Sequence, residues 1–206
     1  MSSPRTEADD LPLLWPRQHM RAFIETRPFG GAWMARRADE RMYRMIKGFH
    51  EAGDLLIAEC KAEPERAQNL IYPALFSYRQ AVELRLKNIL IDFGAMGGEK
   101  LSFRTHDLVD LWAHCRRVIE RFESQLSVQD RETIEAAEKQ IAEFDAVDPR
   151  SDAFRFVHDT KGKLIKLKPS EIDVDNLRRA MGSLLEFLEC AVYHLRYLQG
   201  VSAGSL

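Results

Sequence analysis

Residues 74–94 read ALFSYRQAVELRLKNILIDFG, and this stretch decides the fold. Leu75, Tyr78, Val82, Leu86 and Ile89 recur at spacings of three and four, which places them on one stripe of a helix. Phe76, Leu84, Leu90 and Ile91 spread apolar character to other faces, and a helix apolar on several sides belongs at the centre of a bundle. The helix is expected over Glu65–Phe93, with Pro64 ahead of it, a kink or restart at Pro73, and Gly94, Gly97 and Gly98 ending it in a loop. Arg79, Glu83 and Lys87 stand at i, i+4 and i+8 and so share a face. Two readings of that face stay open: a solvated stripe of weak ion pairs, or a buried polar network that positions a loop.

Working outward, Met42, Met45, Ile46, Phe49, Leu56 and Ile57 predict an earlier helix over Met34–Cys60. Downstream, Thr105 reads as the cap of a third helix carrying Leu108, Leu111, Trp112, Val118, Ile119 and Phe122. Ser127 caps a fourth, whose only clear stripe is Ile134, Ala137, Ile141 and Phe144. Segment 130–148 carries seven acidic and two basic residues, so this helix belongs on the outside. Phe154–Val157 and Leu164–Leu167 flank a turn ending in Gly162 and read as a β-hairpin. A last long helix over Glu171–Leu198, with Ser170 and Asp173 as a loose capping box, presents Leu177, Met181, Leu184, Leu185, Leu188, Val192, Leu195 and Leu198. The expected architecture is all-α: a bundle of four to five long helices with a small β-hairpin before the last.

Residues 1–33 lack periodicity and hold Pro4, Pro12, Pro16 and Pro28, so they read as an irregular arm with a short helix near Gln18–Glu25. Trp15, Phe29 and Trp33 suit an arm that lies on the bundle or on a second subunit, since burying a large aromatic is worth roughly 1.5–3 kcal/mol. Residues 34–206 form the bundle domain. Cys60, Cys115 and Cys190 are odd in number and far apart, which argues for small core residues in a reducing compartment. Glu7, Asp9 and Asp10 stand where a signal peptide would be basic, and no apolar run approaches the ~20 residues of a membrane span. The expectation is a cytoplasmic protein with no membrane partner. A net charge of −2 over 206 residues leaves any nucleic-acid contact to a local patch.

The chain shows no GxGxxG, Walker A, GxSxG or HExxH motif, and its acidic and histidine spacings predict no metal and no cofactor. One local patch stands out. Segment Arg155–Lys168 holds Arg155, Lys161, Lys163, Lys166 and Lys168 against Asp159, with His158 inside it and Phe154 and Phe156 interleaved. Basic side chains with aromatics suit phosphates and single-stranded bases. The alternative is a solubilised edge.

SYRQAVELRLKNIL, then THDLVDLW, then DPRSDAFRF, then a long helix, resembles the HEPN-like helical proteins of prokaryotes over about Leu70–Leu198. The resemblance implies a bundle that dimerises. It further implies either RNA or protein binding, or metal-independent RNA cleavage, in a toxin–antitoxin or anti-phage setting with an antitoxin as partner. Members that cleave RNA carry an Arg followed after four to six residues by a His. Here only Arg44 and His50 have that spacing, in the first helix, and the pair late in the chain, Arg155 and His158, is closer. The resemblance thus points to Arg155 and His158 as a variant site, with His106 as a third catalytic candidate. A non-enzymatic dimeric adaptor is the third class of function.

Overall fold

The computed structural model describes residues 23, 32–100, 102, 104–122 and 126–203, with side chains to 200. The chain divides into Met1–Met34 and Ala35–Leu206, and the five described helices all belong to the second unit. The expected arm helix near 18–25, Phe23 apart, and the aromatics Trp15 and Phe29 lie outside the described residues.

Five helices make the fold: α1 (Ala38–Ala62), α2 (Pro64–Gly97), α3 (Leu108–Phe122), α4 (Val128–Val147) and α5 (Val174–Ala203). A single residue, Glu63, joins α1 to α2, so the two run antiparallel as a hairpin. Pro64 opens α2 at a position where a backbone N–H would have no helical partner anyway, and the helix continues through Pro73 without a break. Gly98 ends it at φ 78, a left-handed conformation that suits a residue without Cβ. The Glu99 N–H then bonds the Gly94 carbonyl at 2.8 Å, and the Gly98 N–H bonds that of Ala95 at 3.2 Å.

α2 is the central helix and packs against α1, α3 and α5. Tyr78, Ala81, Leu86, Ile89 and Phe93 are all but fully buried, together with Leu108, Leu111 and Trp112 of α3 and Leu184 and Leu188 of α5. Arg85 faces Glu189, Asp92 faces Arg196, and Met96 meets Gln199, so α5 runs parallel to α2. α1 comes close to α2 at Gly53: a Cβ there would stand 2.7 Å from the Tyr78 ring. α4 buries Ile134, Ala137, Ile141 and Phe144 and turns its acidic side outward. Ser127 and Asp130 close a reciprocal capping box at its start.

The structure corrects several expectations. Segment 154–167 is not a β-hairpin: among the described residues there is no strand, only one bridge between His158 and Leu164. Asp159 Oδ1 accepts the N–H groups of Lys161 and Lys163 at 2.9 Å and closes a tight turn, but beyond it the two arms share only the bonds from Asp159 N–H to the Lys163 carbonyl and from Ile165 N–H to the Val157 carbonyl, too few to make strands. α3 starts at Leu108 rather than at His106, because Asp107 and not Thr105 caps it. Asp107 Oδ1 accepts the Asp110 N–H at 2.8 Å. In the same way Asp173 accepts the Asn176 N–H at 2.9 Å, and α5 begins at Val174 instead of Glu171. Cys60 and Cys115 are buried but Cys190 is exposed on α5, so only two of the three cysteines belong to the core.

Candidate functional site

The Arg79–Glu83–Lys87 face of α2 points inward. Arg79 is fully buried and Glu83 nearly so, and their side chains meet at 2.7 Å. An isolated charge in such a place would cost several kcal/mol, so every polar atom needs a partner. Glu83 has three: Oε2 accepts from Arg79, while Oε1 accepts from Lys87 Nζ at 2.8 Å and faces His106 Nδ1 at 2.9 Å. Burial alone would push the Glu83 carboxyl up, but its hydrogen bonds with Lys87, His106 and Arg79 outweigh that and hold it below its ordinary value.

Arg79 spends its remaining donors on backbone. Nη2 bonds the His106 carbonyl at 2.6 Å and Nε bonds the Asp148 carbonyl at 3.0 Å. One guanidinium therefore ties α2 to the loop before α3 and to the end of α4. Asp148, also fully buried, turns Oδ1 to the N–H groups of Asp152 and Ala153 at 2.8 and 3.0 Å, and its Oδ2 lies 3.2 Å from Arg79 Nε. Ser151 follows at φ 59, which costs a residue with a Cβ about 1–2 kcal/mol. It is held there by burial and by the bond from Gln80 Nε2 to its Oγ at 3.2 Å. Asp145 Oδ1 accepts the Leu108 N–H at 2.9 Å, and burial holds its carboxyl above the ordinary value.

His106 is the part of this network that reaches solvent, with its side chain half exposed. Ionised Glu83 can only accept, so the hydrogen of this contact sits on His106 Nδ1. A carboxylate behind a histidine fixes its tautomer and ring orientation, an arrangement suited to proton transfer.

The loop that leaves the network carries the other predicted residues. Arg155 Nε donates to the Ser151 carbonyl at 2.6 Å and Nη2 donates to the same oxygen. Its guanidinium also sits 5.6 Å from the Phe76 ring centroid and 5.2 Å from that of Phe156. Arg155 thus braces the loop against α2. Lys161, Lys163, Lys166 and Lys168 are all exposed, and among the described residues none has a carboxylate within ion-pair range. Asp159 is spent on the turn and on Arg150, and the two backbone N–H groups hold its carboxyl below the ordinary range. Phe156, Val157 and Leu164 are more than half exposed beside these lysines.

The predicted residues therefore fall into two places. Arg79, Glu83 and His106 come together, while Arg155, His158 and the lysines lie on the loop. Among the described residues no hydrogen bond, ion pair or ring contact joins His106 to Arg155 or His158. Nor does any group of three or more His, Cys, Asp or Glu side chains form a metal cage there. No described helix is long and apolar enough to cross a membrane. Sequence reasoning missed Asp148 and Ser151, whose signal was the turn-rich DPRSD run after α4. No protein-family model, no curated protein and no solved structure matches this chain.

Proposed function

We propose that this chain is a HEPN-like helical bundle that binds single-stranded RNA through the loop 155–168. The observation that supports the reading is the set of four exposed lysines, none within ion-pair distance of a carboxylate among the described residues, flanked by exposed Phe156. Unpaired lysines release counterions when they meet phosphates, and an exposed ring offers a stacking platform that tolerates any base. A loop that served only for solubility would gain nothing from exposing Phe156, Val157 and Leu164 next to its charges.

Fluorescence anisotropy with a short single-stranded RNA of mixed sequence, titrated at several salt concentrations, tests it. Each lysine on a phosphate adds about 0.7 to the slope of log affinity against log salt. Replacing Lys161, Lys163, Lys166 and Lys168 with Ser should lower that slope by up to about 2.8 and weaken all sequences alike. Equal binding by the wild type and the quadruple variant would sink the reading.

One observation favours a second reading, metal-independent RNA cleavage. His106, aligned by buried Glu83, has the geometry of an acid or base, whereas Arg155 is engaged by the Ser151 carbonyl. Cleavage in the presence of a chelator, lost in His106→Ala and retained in His158→Ala, is the outcome expected if the chain cleaves RNA.

A further inference from the structure

Arg79 and Arg85 are both buried on α2, yet the fold treats them differently. Arg79 spends its donors on Glu83 and on two carbonyls. The Arg85 side chain is only 8% exposed, but among the described residues none of its N–H groups makes a hydrogen bond, and its Nε is fully buried. The one carboxylate within ion-pair range, Glu189 of α5, stands 3.6 Å from Nη2, too far for a hydrogen bond. Burial is the largest influence on this guanidinium and pushes its pKa below the ordinary value despite Glu189. Glu189 is served no better. Its Oε1 accepts a long bond of 3.5 Å from the Tyr193 hydroxyl, and its side chain is 40% exposed.

This pair adjoins a cavity. Glu189 lines a groove of about 800 Å³ between α1 and α5, together with apolar Leu185. That volume is within the range of small-molecule sites. His50 of α1 lines the same groove, and its Nε2 is likewise buried without a hydrogen bond, 3.8 Å from Asp54. Buried polar atoms nearly always have a partner, and each exception asks for an explanation. Two of the four such side-chain atoms among the described residues adjoin this one groove, His50 Nε2 directly and Arg85 Nε behind Glu189. Tyr43 of α1 and Tyr193 of α5, each about half exposed, stand near enough to Arg85 to feel its charge. Arg196, the other cation in that range, is held by Asp92 at 3.1 Å.

We infer that the groove between α1 and α5 binds a free α-amino acid, with its carboxylate on Arg85 and its ammonium on Glu189. The pair offers N–H donors and carboxylate oxygens side by side, and neither set is spent on the other. A lone anion would satisfy Arg85 but face Glu189, and a lone amine would satisfy Glu189 but face Arg85. A molecule with both charges one carbon apart meets both and adds no net charge to a partly buried place. The planar guanidinium suits a carboxylate, which it grips with two parallel bonds. The side chain of the amino acid then lies along the groove at Leu185, near Tyr43 and Tyr193, which favours a large apolar or aromatic one. The loop 155–168 takes no part, so this inference stands apart from the RNA reading.

Isothermal titration calorimetry of the full chain with L-phenylalanine and L-leucine tests it. Two half-ligands accompany them: 3-phenylpropionate, which lacks the ammonium, and phenethylamine, which lacks the carboxylate. L-phenylalanine should bind with a dissociation constant of about 1 mM or lower, as a ligand of that size allows. Each half-ligand should bind roughly 10- to 100-fold more weakly, the loss expected when a bond to a charged group goes. Arg85→Met should abolish binding, with circular dichroism to confirm that it folds. Glu189→Gln, at a partly exposed position, decides the matter even if Arg85→Met does not fold. It should weaken L-phenylalanine roughly 10-fold and strengthen 3-phenylpropionate, since the repelling charge is gone. No heat from either amino acid up to about 10 mM overturns the inference. So does a half-ligand that binds as well as L-phenylalanine, binding that Glu189→Gln leaves unchanged, or binding that survives in folded Arg85→Met.

Discussion

Arg79, Glu83 and Lys87 of α2 and the lysines of the loop 155–168 are equally ordinary as charged residues, yet the fold treats them in opposite ways. The first group is buried, and each charge has a partner at 2.7–2.8 Å. The second group is exposed, with no carboxylate within ion-pair distance among the described residues, and only Asp159 is near enough to Lys163 to feel its charge. Buried charges must be matched because water no longer solvates them, so they become fixed points that tie segments together. Exposed charges are solvated already, so leaving them unmatched costs little and keeps them available to a phosphate. His106 is the one residue that shares both conditions, with Nδ1 on the buried carboxylate and the rest of the ring half exposed.

The comparison breaks first at Arg79. Arg79→Ala leaves Glu83 and the carbonyls of His106 and Asp148 short of a donor inside the protein, and it should destabilise by about 3–5 kcal/mol in chemical denaturation. A double-mutant cycle with Glu83→Ala should return a coupling well above the ~0.5 kcal/mol typical of independent sites. A coupling under that value would place the pair on a solvated face. His106→Ala removes one of the three partners of Glu83, from the half-exposed side where water can replace it. Its cost should fall near about 1.5 kcal/mol, the low end for hydrogen bonds to a charged group.

How much of this was legible in the sequence follows from the range of each signal. The central helix was readable because its apolar residues recur on several faces, and the stripe of α4 because Ile134, Ala137, Ile141 and Phe144 sit at strict helical spacing. Helix starts were less readable: Thr105 and Asp107 are both good caps, and Asp145, far along the chain, supplies the partner that lets α3 begin at Leu108. The turn of the expected hairpin is present, capped by Asp159, but pairing stops at one bridge, between His158 and Leu164, in a segment whose apolar alternation was imperfect. For the network, spacing placed Arg79, Glu83 and Lys87 on one face but left open whether water or protein covered it. Asp148 and the His106 carbonyl, 69 and 27 residues from Arg79, decide that question, and no local pattern announces a contact at such separation.

Acid should weaken the fold next. Glu83 and Glu99 are both held below the ordinary carboxylate value, Glu99 down to about 2 by Arg117 and His114. A carboxylate with a lowered folded pKa contributes stability that is present above its unfolded value of about 4.3 and is lost as pH falls through the folded value. Buried Asp145 is raised and works in the opposite sense, favouring the fold where it is protonated. The net expectation is a stability that declines from about pH 4.5 toward about pH 2, and Glu99→Gln should make that decline shallower. An acid limb unchanged in Glu99→Gln would show that its ion pairs with Arg117 and His114 do not form in solution.

The smallest expected change in stability is the one that matters most for the loop. Lys161, Lys163, Lys166 and Lys168 make no ion pair among the described residues, so replacing all four with Ser removes little more than the solvent-screened attraction between Lys163 and Asp159. The turn itself rests on Asp159 and the backbone N–H groups of residues 161 and 163, which Ser retains. The quadruple variant should therefore unfold within about 0.5 kcal/mol of the wild type, as exposed substitutions do. A loss of about 2 kcal/mol or more, on the order of a buried contact, would mean that these lysines hold the loop to the bundle, and their exposure would no longer argue for a ligand. Phe156→Ala sharpens the same point. The ring is 56% exposed and 5.2 Å from the Arg155 guanidinium, so its removal should cost the fold little. If bases stack on it, RNA affinity should fall by about 1–3 kcal/mol with the salt slope unchanged, because a ring displaces no counterions. Lysine variants that flatten the slope and a phenylalanine variant that lowers affinity without flattening it would together separate the charge of the loop from its stacking surface.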